Sequence, residues 1–491
     1  MSTFGHIFRV TTFGESHCKG VGVIIDGCPP CMELTEADVQ PQLTRRRPGQ
    51  SKLTTPRSEG DIVSIYSGTE LGKTLGTPIM MMVPNLNVRP GDYKEMSQVP
   101  RPGHADYTYQ VKYGTRASSG GGRSSARETI GRVAAGAVAE KFLRQRFNTE
   151  VVSFVTSVAH IDLPLEHHYE PSGRPWTRAE VDAKGRMRLL YDPAQGWRQL
   201  APADVADEAE RADQQKALDL SAETRFNQMA AADAAAGTPS SVAAYESLDD
   251  GKIYAHDGTL LEAPPANLEA WRTVDLVTLR CPHAPTSARM ATEIRAVKEA
   301  HDSTGGVVCC ICSNMPIGLG EPCFDKLEAK MAHAMLSLPA TKGFEIGSGF
   351  RGTRQRGSAH NDAFVPHGAE TKLLRTKTNN AGGTLGGISN GEDLCFKVAI
   401  KPVSTIARAQ QTSTFDGTET VLEAKGRHDP CVLPRTPPLI EGMAALVLAD
   451  AALIQSTRCP PGTLCSYASE HIGEGEAGGS AAAAAPKKRK L

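Results

Sequence analysis

No run of about eighteen apolar residues occurs in this chain, and no basic segment followed by an apolar one opens it, so neither a membrane span nor a secretory signal is expected. The cytosol is the expected compartment. A charge excess is missing too: 54 Lys and Arg stand against 55 Asp and Glu, and the net charge of −1 argues against a general nucleic-acid binder, which carries a large basic surplus. Cysteine is sparse. The chain has 12, several in apolar runs such as Val307-Val308-Cys309-Cys310-Ile311-Cys312, where alternation reads as a strand and buried reduced thiols are expected over disulfides. Cys28-Pro29-Pro30-Cys31 has the spacing of half a zinc site, but its prolines remove supporting N–H groups and no second pair matches it. No metal is expected.

What is present is the composition of a soluble globular protein, 40% apolar and 22% charged over 491 residues. That length exceeds one ordinary core, so one large domain with additions, or two domains, is expected. Arginines cluster locally at Arg45, Arg46 and Arg47, at Arg123 and Arg127, and at Arg427. Such groups suit a small ligand with several negative charges, because arginine pairs bidentately with carboxylate and phosphate. A solvated basic face is the alternative.

Three turns combine a histidine with a carboxylate in a Gly- or Pro-bent segment: Gly14-Glu15-Ser16-His17, Arg101-Pro102-Gly103-His104-Ala105-Asp106 and Gly426-Arg427-His428-Asp429-Pro430-Cys431. Loops of this kind carry chemistry on a rigid scaffold. Each also has a structural reading: a capped loop for His17, a His–Asp hydrogen bond for His104 and Asp106, and a turn starter for Asp429-Pro430.

Short apolar segments such as Val21-Gly22-Val23-Ile24-Ile25 alternate with turn clusters over the first 150 residues, as in a sheet-containing core. Ser125-Ala126-Arg127-Glu128 fits a capping box, followed at helical spacing by Ile130, Val133, Ala134, Val138 and Phe142 through about Arg146. Helices are also expected over Asp325 to Leu338 and from Thr436-Pro437-Pro438 to about Gln455. Between about 161 and 275 the chain turns polar, then rich in Ala, Asp, Glu and Gln from Ala201 to Ala236, with helix formers but no sustained apolar stripe. A low-complexity surface insertion is expected there, between core parts 1–160 and 276–455, and a disordered tail over 456–491. The tail ends in Pro486-Lys487-Lys488-Arg489-Lys490-Leu491, a pattern like a nuclear-import signal. Gly347-Ser348-Gly349-Phe350-Arg351-Gly352 and Gly68 to Thr74 resemble nucleotide loops, but the first lacks a following apolar period and the second is one residue short. Both read as turns.

The three reactive turns occur in order with Thr44-Arg45-Arg46-Arg47-Pro48-Gly49, Gly120-Gly121-Gly122-Arg123-Ser124-Ser125-Ala126-Arg127-Glu128-Thr129, Gly343 to Phe350, Thr378 to Gly387 and Lys401-Pro402-Val403-Ser404-Thr405. Together they resemble the chorismate synthase family, of the long eukaryotic form. The resemblance implies an α/β sandwich with helices enclosed between antiparallel sheets, plus the long surface insertion. It implies a lyase that forms chorismate in the shikimate pathway by 1,4-anti-elimination of phosphate from 5-enolpyruvylshikimate 3-phosphate, with reduced FMN as cofactor and NADPH as a candidate reductant. It also implies a homotetramer whose partner is a small anionic substrate.

By the same resemblance, His17 is the acid at the departing phosphate, His104 faces the pyrimidine edge of the flavin, and Asp429 assists deprotonation at its N5. Arg123, Ser124, Ser125, Pro339, Ala340, Gly386, Lys401, Pro402, Val403, Ser404, Thr405 and Arg427 fall at flavin positions, and Arg46, Lys52, Arg101, Ser125, Ala126, Arg127 and Arg427 at substrate positions. Lys52 replaces an arginine of the family, keeping the charge and losing the fork. Cys18 stands where the family usually has glycine, so its Cβ tightens the loop if the backbone needs a positive φ. Residues Gly382, Gly383, Gly386 and Gly387 are read as permitting close approach to a flat ring, with a tight turn as the alternative. Two rival functions are a catalytically silent scaffold or nuclear protein on the same fold, and a simple NADPH:flavin reductase.

Overall fold

A computed structural model describes residues 2–51, 53–55, 59–86, 98–117, 120–191, 198–199, 239–240, 242–255, 258–261, 275–366, 373–424 and 428–458. Among these residues the helices of seven residues or more are α1 (Glu36–Arg46), α2 (Asp106–Tyr113), α3 (Thr129–Phe147), α4 (Arg178–Lys184), α5 (Ala284–Glu299), α6 (Leu327–Leu336) and α7 (Pro437–Arg458). Two five-stranded antiparallel sheets dominate. The first runs Thr3–Phe4, Arg9–Phe13, Gly20–Asp26, Ile79–Pro84, Ser64–Ile65; the second runs Thr341–Ile346, Leu394–Ile400, Gly306–Ser313, Glu150–Val158, Ile161–Asp162.

Strand period places the core. Val21, Val23 and Ile25 alternate with Ile79, Met81 and Val83 across one ladder and are buried, while Ile24 is exposed. Helix α3 lies on this sheet, touching its three longest strands, and meets α1 and α7 elsewhere; α7 in turn packs on Glu150–Val158 and Gly306–Ser313 of the second sheet. A helix so surrounded should be apolar nearly all round, and α3 is buried at almost every position from Thr129 to Glu140. The α3–α7 crossing is close because Gly136 faces Gly442.

Among the described residues α7 is long and apolar enough to cross a membrane, yet its two carboxylates are built into the protein. Asp450 accepts from the backbone N–H groups of His6, Ile7 and Phe8 at 2.7–3.0 Å. Glu441, fully buried, accepts from Gln42 Nε2 (2.8 Å) and Ser153 N (2.9 Å) and pairs with Arg45 and Arg178.

Two expectations change. Ser125 does cap, accepting from Arg127 N at 3.3 Å, but a 3-10 turn over Ala126–Glu128 precedes α3 and Glu128 leaves the box to accept from Thr12 Oγ1 (2.8 Å) and Arg132 Nε (2.9 Å). Cationic and hydroxyl partners from outside the turn outcompete the local N–H. The block 161–275 is also not uniformly a low-complexity insertion. Its described flanks form α4, with a Thr177–Glu180 capping box, and a four-stranded sheet joining Arg186–Tyr191, Val242–Ser247, Ile253–Ala255 and Asp275–Thr278. Trp176, Val181, Met187, Leu189 and Tyr245 are buried there and continue the main core. The Ala201–Ala236 segment and most of the expected tail lie outside the described residues.

Candidate active site

The glycine-rich loop joins two of the three reactive turns. Gly120, at φ 69°, lies against the His17 ring: a Cβ placed there would come closer than 3.0 Å to His17 Nδ1 and Ser16 Oγ. One residue on, a Cβ on Gly121 would stand 3.3 Å from His104 Nε2. The two imidazoles therefore flank one Gly-Gly step. Ser16 Oγ lies 3.0 Å from His17 Nδ1. Cys18 is absent from the positive-φ residues, so its Cβ costs nothing in the backbone; the thiol lies 2.9 Å from the Gly20 carbonyl and within a tight Glu15–Cys18 turn.

His104 is oriented from behind. Its Nδ1 is 2.9 Å from Asp106 Oδ1 and 3.1 Å from Arg101 Nη2, which turns that side of the ring inward and leaves Nε2 beside Gly121. Arg101 grips the same carboxylate, Nε to Oδ2 at 2.7 Å and Nη2 to Oδ1 at 2.9 Å, and its Nη1 reaches Thr405 Oγ1 at 3.3 Å. Burial would raise the Asp106 carboxyl, but Arg101 and His104 hold it well below the usual carboxylate range. Behind Gly103, Lys401 Nζ and Ser404 Oγ donate to its carbonyl at 2.6 and 2.8 Å. Lys401 N donates to the Ala340 carbonyl at 2.9 Å, which holds Pro339-Ala340, with Ala340 at φ 68°, against the 401–405 segment.

The third turn joins through backbone. Thr304 N donates to Pro430 O at 2.9 Å, and its neighbour Ser303 donates to the Val403 carbonyl at 2.7 Å. Asp429 accepts from Thr55 N (2.7 Å) and from Arg435 Nη1 (3.0 Å). Arg435 Nε also donates to the Arg46 carbonyl at 3.1 Å.

The arginines read as anion binders have internal partners. Arg46 donates to Asp61 Oδ2 at 3.0 Å, to Thr129 Oγ1 at 3.1 Å and to the Ala126 carbonyl. Arg127 reaches Asp61 Oδ1 at 2.5 Å, Glu59 Oε2 at 2.8 Å and Asn85 Oδ1 at 2.8 Å. Burial pulls the Arg46 guanidinium down to about 10, with Asp61 opposing; burial would raise Asp61, but Arg46 and Arg127 hold it below its usual value. Arg123 binds the Gly14 carbonyl (3.0 Å) and Thr12 Oγ1 (2.5 Å), and so ties the glycine-rich loop to the His17 turn. Ser124 Oγ closes that loop on the Gly121 carbonyl at 2.6 Å.

Thus His17, His104, Arg101, Arg123, Ser124, Lys401, Ser404, Thr405 and Asp429 form one connected set, with Arg46, Ala126 and Arg127 joined to it through Asp61 and Arg435. Gly386 stands apart on a turn beside the N-terminus of α6, where a Cβ would meet nothing within 4 Å. For Gly382, Gly383 and Gly387 the ring-approach reading gives way to the turn: a Cβ on each would collide with the chain's own backbone at Gly347, Asp393 and Glu321. Lys52 and Arg427 lie outside the described residues. Sequence reasoning misses Asp61, Glu59 and Arg435. The signal for two of them is Glu59-Gly60-Asp61, a turn with two carboxylates that complements the arginine clusters.

The fold and this cluster of His, Asp and Arg side chains are those of an α/β enzyme acting on a small molecule. The chain belongs to the chorismate synthase family, whose profile matches residues 8–453. It is 50% identical over 458 residues to a chorismate synthase of Schizosaccharomyces pombe, spanning 93% of this chain and 97% of that one. A chorismate synthase of Saccharomyces cerevisiae is 49% identical, with 93% and 98% covered, and one of Thermosynechococcus vestitus is 45% identical, with 93% and 98% covered. A crystal structure of chorismate synthase superposes with a TM-score of 0.56 at 26% identity, over 92% of this chain and 93% of that one. Its function is that of the family, a lyase of chorismate biosynthesis with a general requirement for reduced flavin.

Proposed function

We propose that this chain makes chorismate from 5-enolpyruvylshikimate 3-phosphate with reduced FMN held along the Gly120–Gly121 step. The observation that carries this reading is that one glycine-rich step lies between both imidazoles: a Cβ on Gly120 would fall within 3.0 Å of His17 Nδ1 and one on Gly121 3.3 Å from His104 Nε2, so the two histidines stand at the same loop. The donors fit the group. Arg123, Ser124 and Ser125 would hold its phosphate side, and Ala340 and the Lys401-Pro402-Val403-Ser404-Thr405 segment its rings. Reduced FMN bound there would supply the transient electron donation that phosphate departure needs.

The remaining work belongs to side chains. His17 donates a proton at the leaving phosphate, offsetting its developing charge. Asp106 fixes the His104 ring so that Nε2 presents to the ligand. The Asp429 carboxylate, held by Thr55 N and Arg435, is the base that receives a proton. Arg46, Arg101 and Arg127 are clamped by Asp61, Asp106 and Glu59, so their positive field is preorganised rather than assembled on binding.

The same reading makes the molecule the family's sandwich, with α3 and α7 enclosed between the two sheets, working as a homotetramer in the cytosol. NADPH is its candidate reductant. Chorismate formation is measured anaerobically with chemically reduced FMN and, separately, with NADPH plus oxidised FMN. Product with reduced FMN alone assigns reduction to an external reductase; product in both assays makes reduction intrinsic. No product in either would sink the proposal.

A further inference from the structure

Arg280 is a buried charged residue held in a strained backbone conformation. It sits between strand Asp275–Thr278 and α5 at φ 66°, a left-handed conformation that a long side chain keeps only where its surroundings over-determine it. It is 3% exposed. Its carbonyl accepts from Val155 N at 2.9 Å, and Gly185 packs against its backbone so closely that a Cβ there would fall 2.6 Å from Arg280 N. Burial, and then Arg45, pull its guanidinium down to about 10, so it stays charged at neutral pH.

All three guanidinium nitrogens are used, each on a different element. Nε donates to Asp182 Oδ1 on α4 at 3.0 Å, Nη2 to Gln50 Oε1 at 2.8 Å, and Nη1 to the Pro434 carbonyl. Gln50 Nε2 in turn donates to the carbonyls of Arg45 (2.5 Å) and Arg47 (2.7 Å), which closes the C-terminal end of α1 around Arg46. Pro434 immediately precedes Arg435, whose guanidinium spans the Arg46 carbonyl and Asp429 Oδ2. One buried fork therefore joins α4 to both backbone segments that set the Arg435–Asp429 pair.

We propose that Arg280 is a positioning residue for the elimination, holding the Pro434–Arg435 turn and, through Arg435, the Asp429 carboxylate. The proposal rests on Asp429 being a group of the site. A planar fork can satisfy three diverging acceptors; an ammonium on a flexible stem cannot keep the same geometry. Loss of the Pro434 bond would let the turn shift without removing any group that touches a ligand.

The test is a double-mutant cycle on the full chain with pre-reduced FMN, using Arg280→Lys, Asp429→Asn and the pair. Arg280→Lys is expected to lower kcat about tenfold, the scale of a small misplacement, with KM for the substrate and Kd for FMN within about twofold of the parent. In the Asp429→Asn background the same change should lower kcat less than about twofold, because its route is already cut. A folded Arg280→Lys with parental kcat, or a loss that simply multiplies in the double variant, overturns the proposal. Asp429→Asn at the parental rate would instead overturn the reading of Asp429 itself. Should Arg280→Lys fail to fold, Asp182→Ala removes the acceptor of Nε at the half-buried end; a kcat loss of about threefold that vanishes beside Asp429→Asn supports the relay, and no loss or a multiplying one overturns it.

Discussion

Gly120 and His17 make a contact that glycine alone permits: at φ 69°, a Cβ on Gly120 would lie closer than 3.0 Å to both Nδ1 and Cε1 of the His17 ring. Gly120→Ala adds that methyl group and a strained backbone together. The His17 ring must then rotate away, and turnover with pre-reduced FMN is expected to fall about 10²-fold or more, the scale for removing an acid–base group. The strained φ should also cost about 1 kcal/mol of stability, so turnover is compared under conditions where both proteins are folded. Parental turnover would show that His17 does not work from this position.

The α3–α7 crossing predicts an asymmetric pair of substitutions. A Cβ on Gly136 would fall closer than 3.0 Å to the Gly442 backbone, whereas a Cβ on Gly442 finds its nearest neighbours at 3.3–3.6 Å. Gly136→Ala should therefore lower stability by about 1–3 kcal/mol through overpacking. Gly442→Ala should cost less, since the gain in helix propensity of about 1 kcal/mol offsets its milder crowding. Urea unfolding of the two variants checks the order.

Stability should decline on mild acidification, and His168 supplies a reason. It is buried edge-on to Phe154, and burial, then Lys397, pull its pKa down to about 4. A histidine depressed in the folded state takes its proton first in the unfolded chain. Its contribution is therefore complete above the unfolded pKa of about 6.5 and is lost progressively down to about pH 4, on the order of 3 kcal/mol in all. His168→Phe should flatten the fall in unfolding free energy between about pH 6.5 and pH 4.5. An unchanged slope would assign the acid sensitivity elsewhere.

Within the polar block, the dispensable part is narrower than its composition implies. Arg198↔Ser240 and Gln199↔Pro239 pair antiparallel, so the chain leaves and returns at adjacent points. Residues 200–238 can thus be replaced by a short Gly/Ser linker without stretching either end, and turnover is expected within about twofold of the parent, since loop-closure cost changes slowly with length. Extending the excision through Tyr245, which is buried, should destabilise the protein. Retention of full stability after the longer excision would contradict this boundary.

The reactive turns, the strands at Val21–Ile25 and Val307–Cys312, and the three helices were legible because each is a local pattern of period or turn chemistry. Partnership was not. Asp61 is fifteen residues from Arg46 and sixty-six from Arg127, and no spacing announces that one carboxylate serves both. The same holds for Glu128, which the local pattern assigns to a capping box and the fold assigns to Thr12 and Arg132. Trp176, Val181 and Tyr245 were hidden by averaging with the Ala-rich stretch between them. A positive-φ glycine says that a turn is tight, but Gly383 and Gly386 differ only in what stands opposite, backbone for one and open space for the other.

Asp429 offers the most direct measurement of the account. Its two oxygens take Thr55 N and Arg435 Nη1, so Asp429→Asn keeps the size, the turn preference and one acceptor while removing the charge. Single-turnover kinetics with pre-reduced FMN are predicted to show near-normal binding of FMN and substrate and a chemical step slowed about 10²-fold or more. A chemical step at the parental rate would contradict the account, leaving Asp429 as a turn residue and sending the proton by another route.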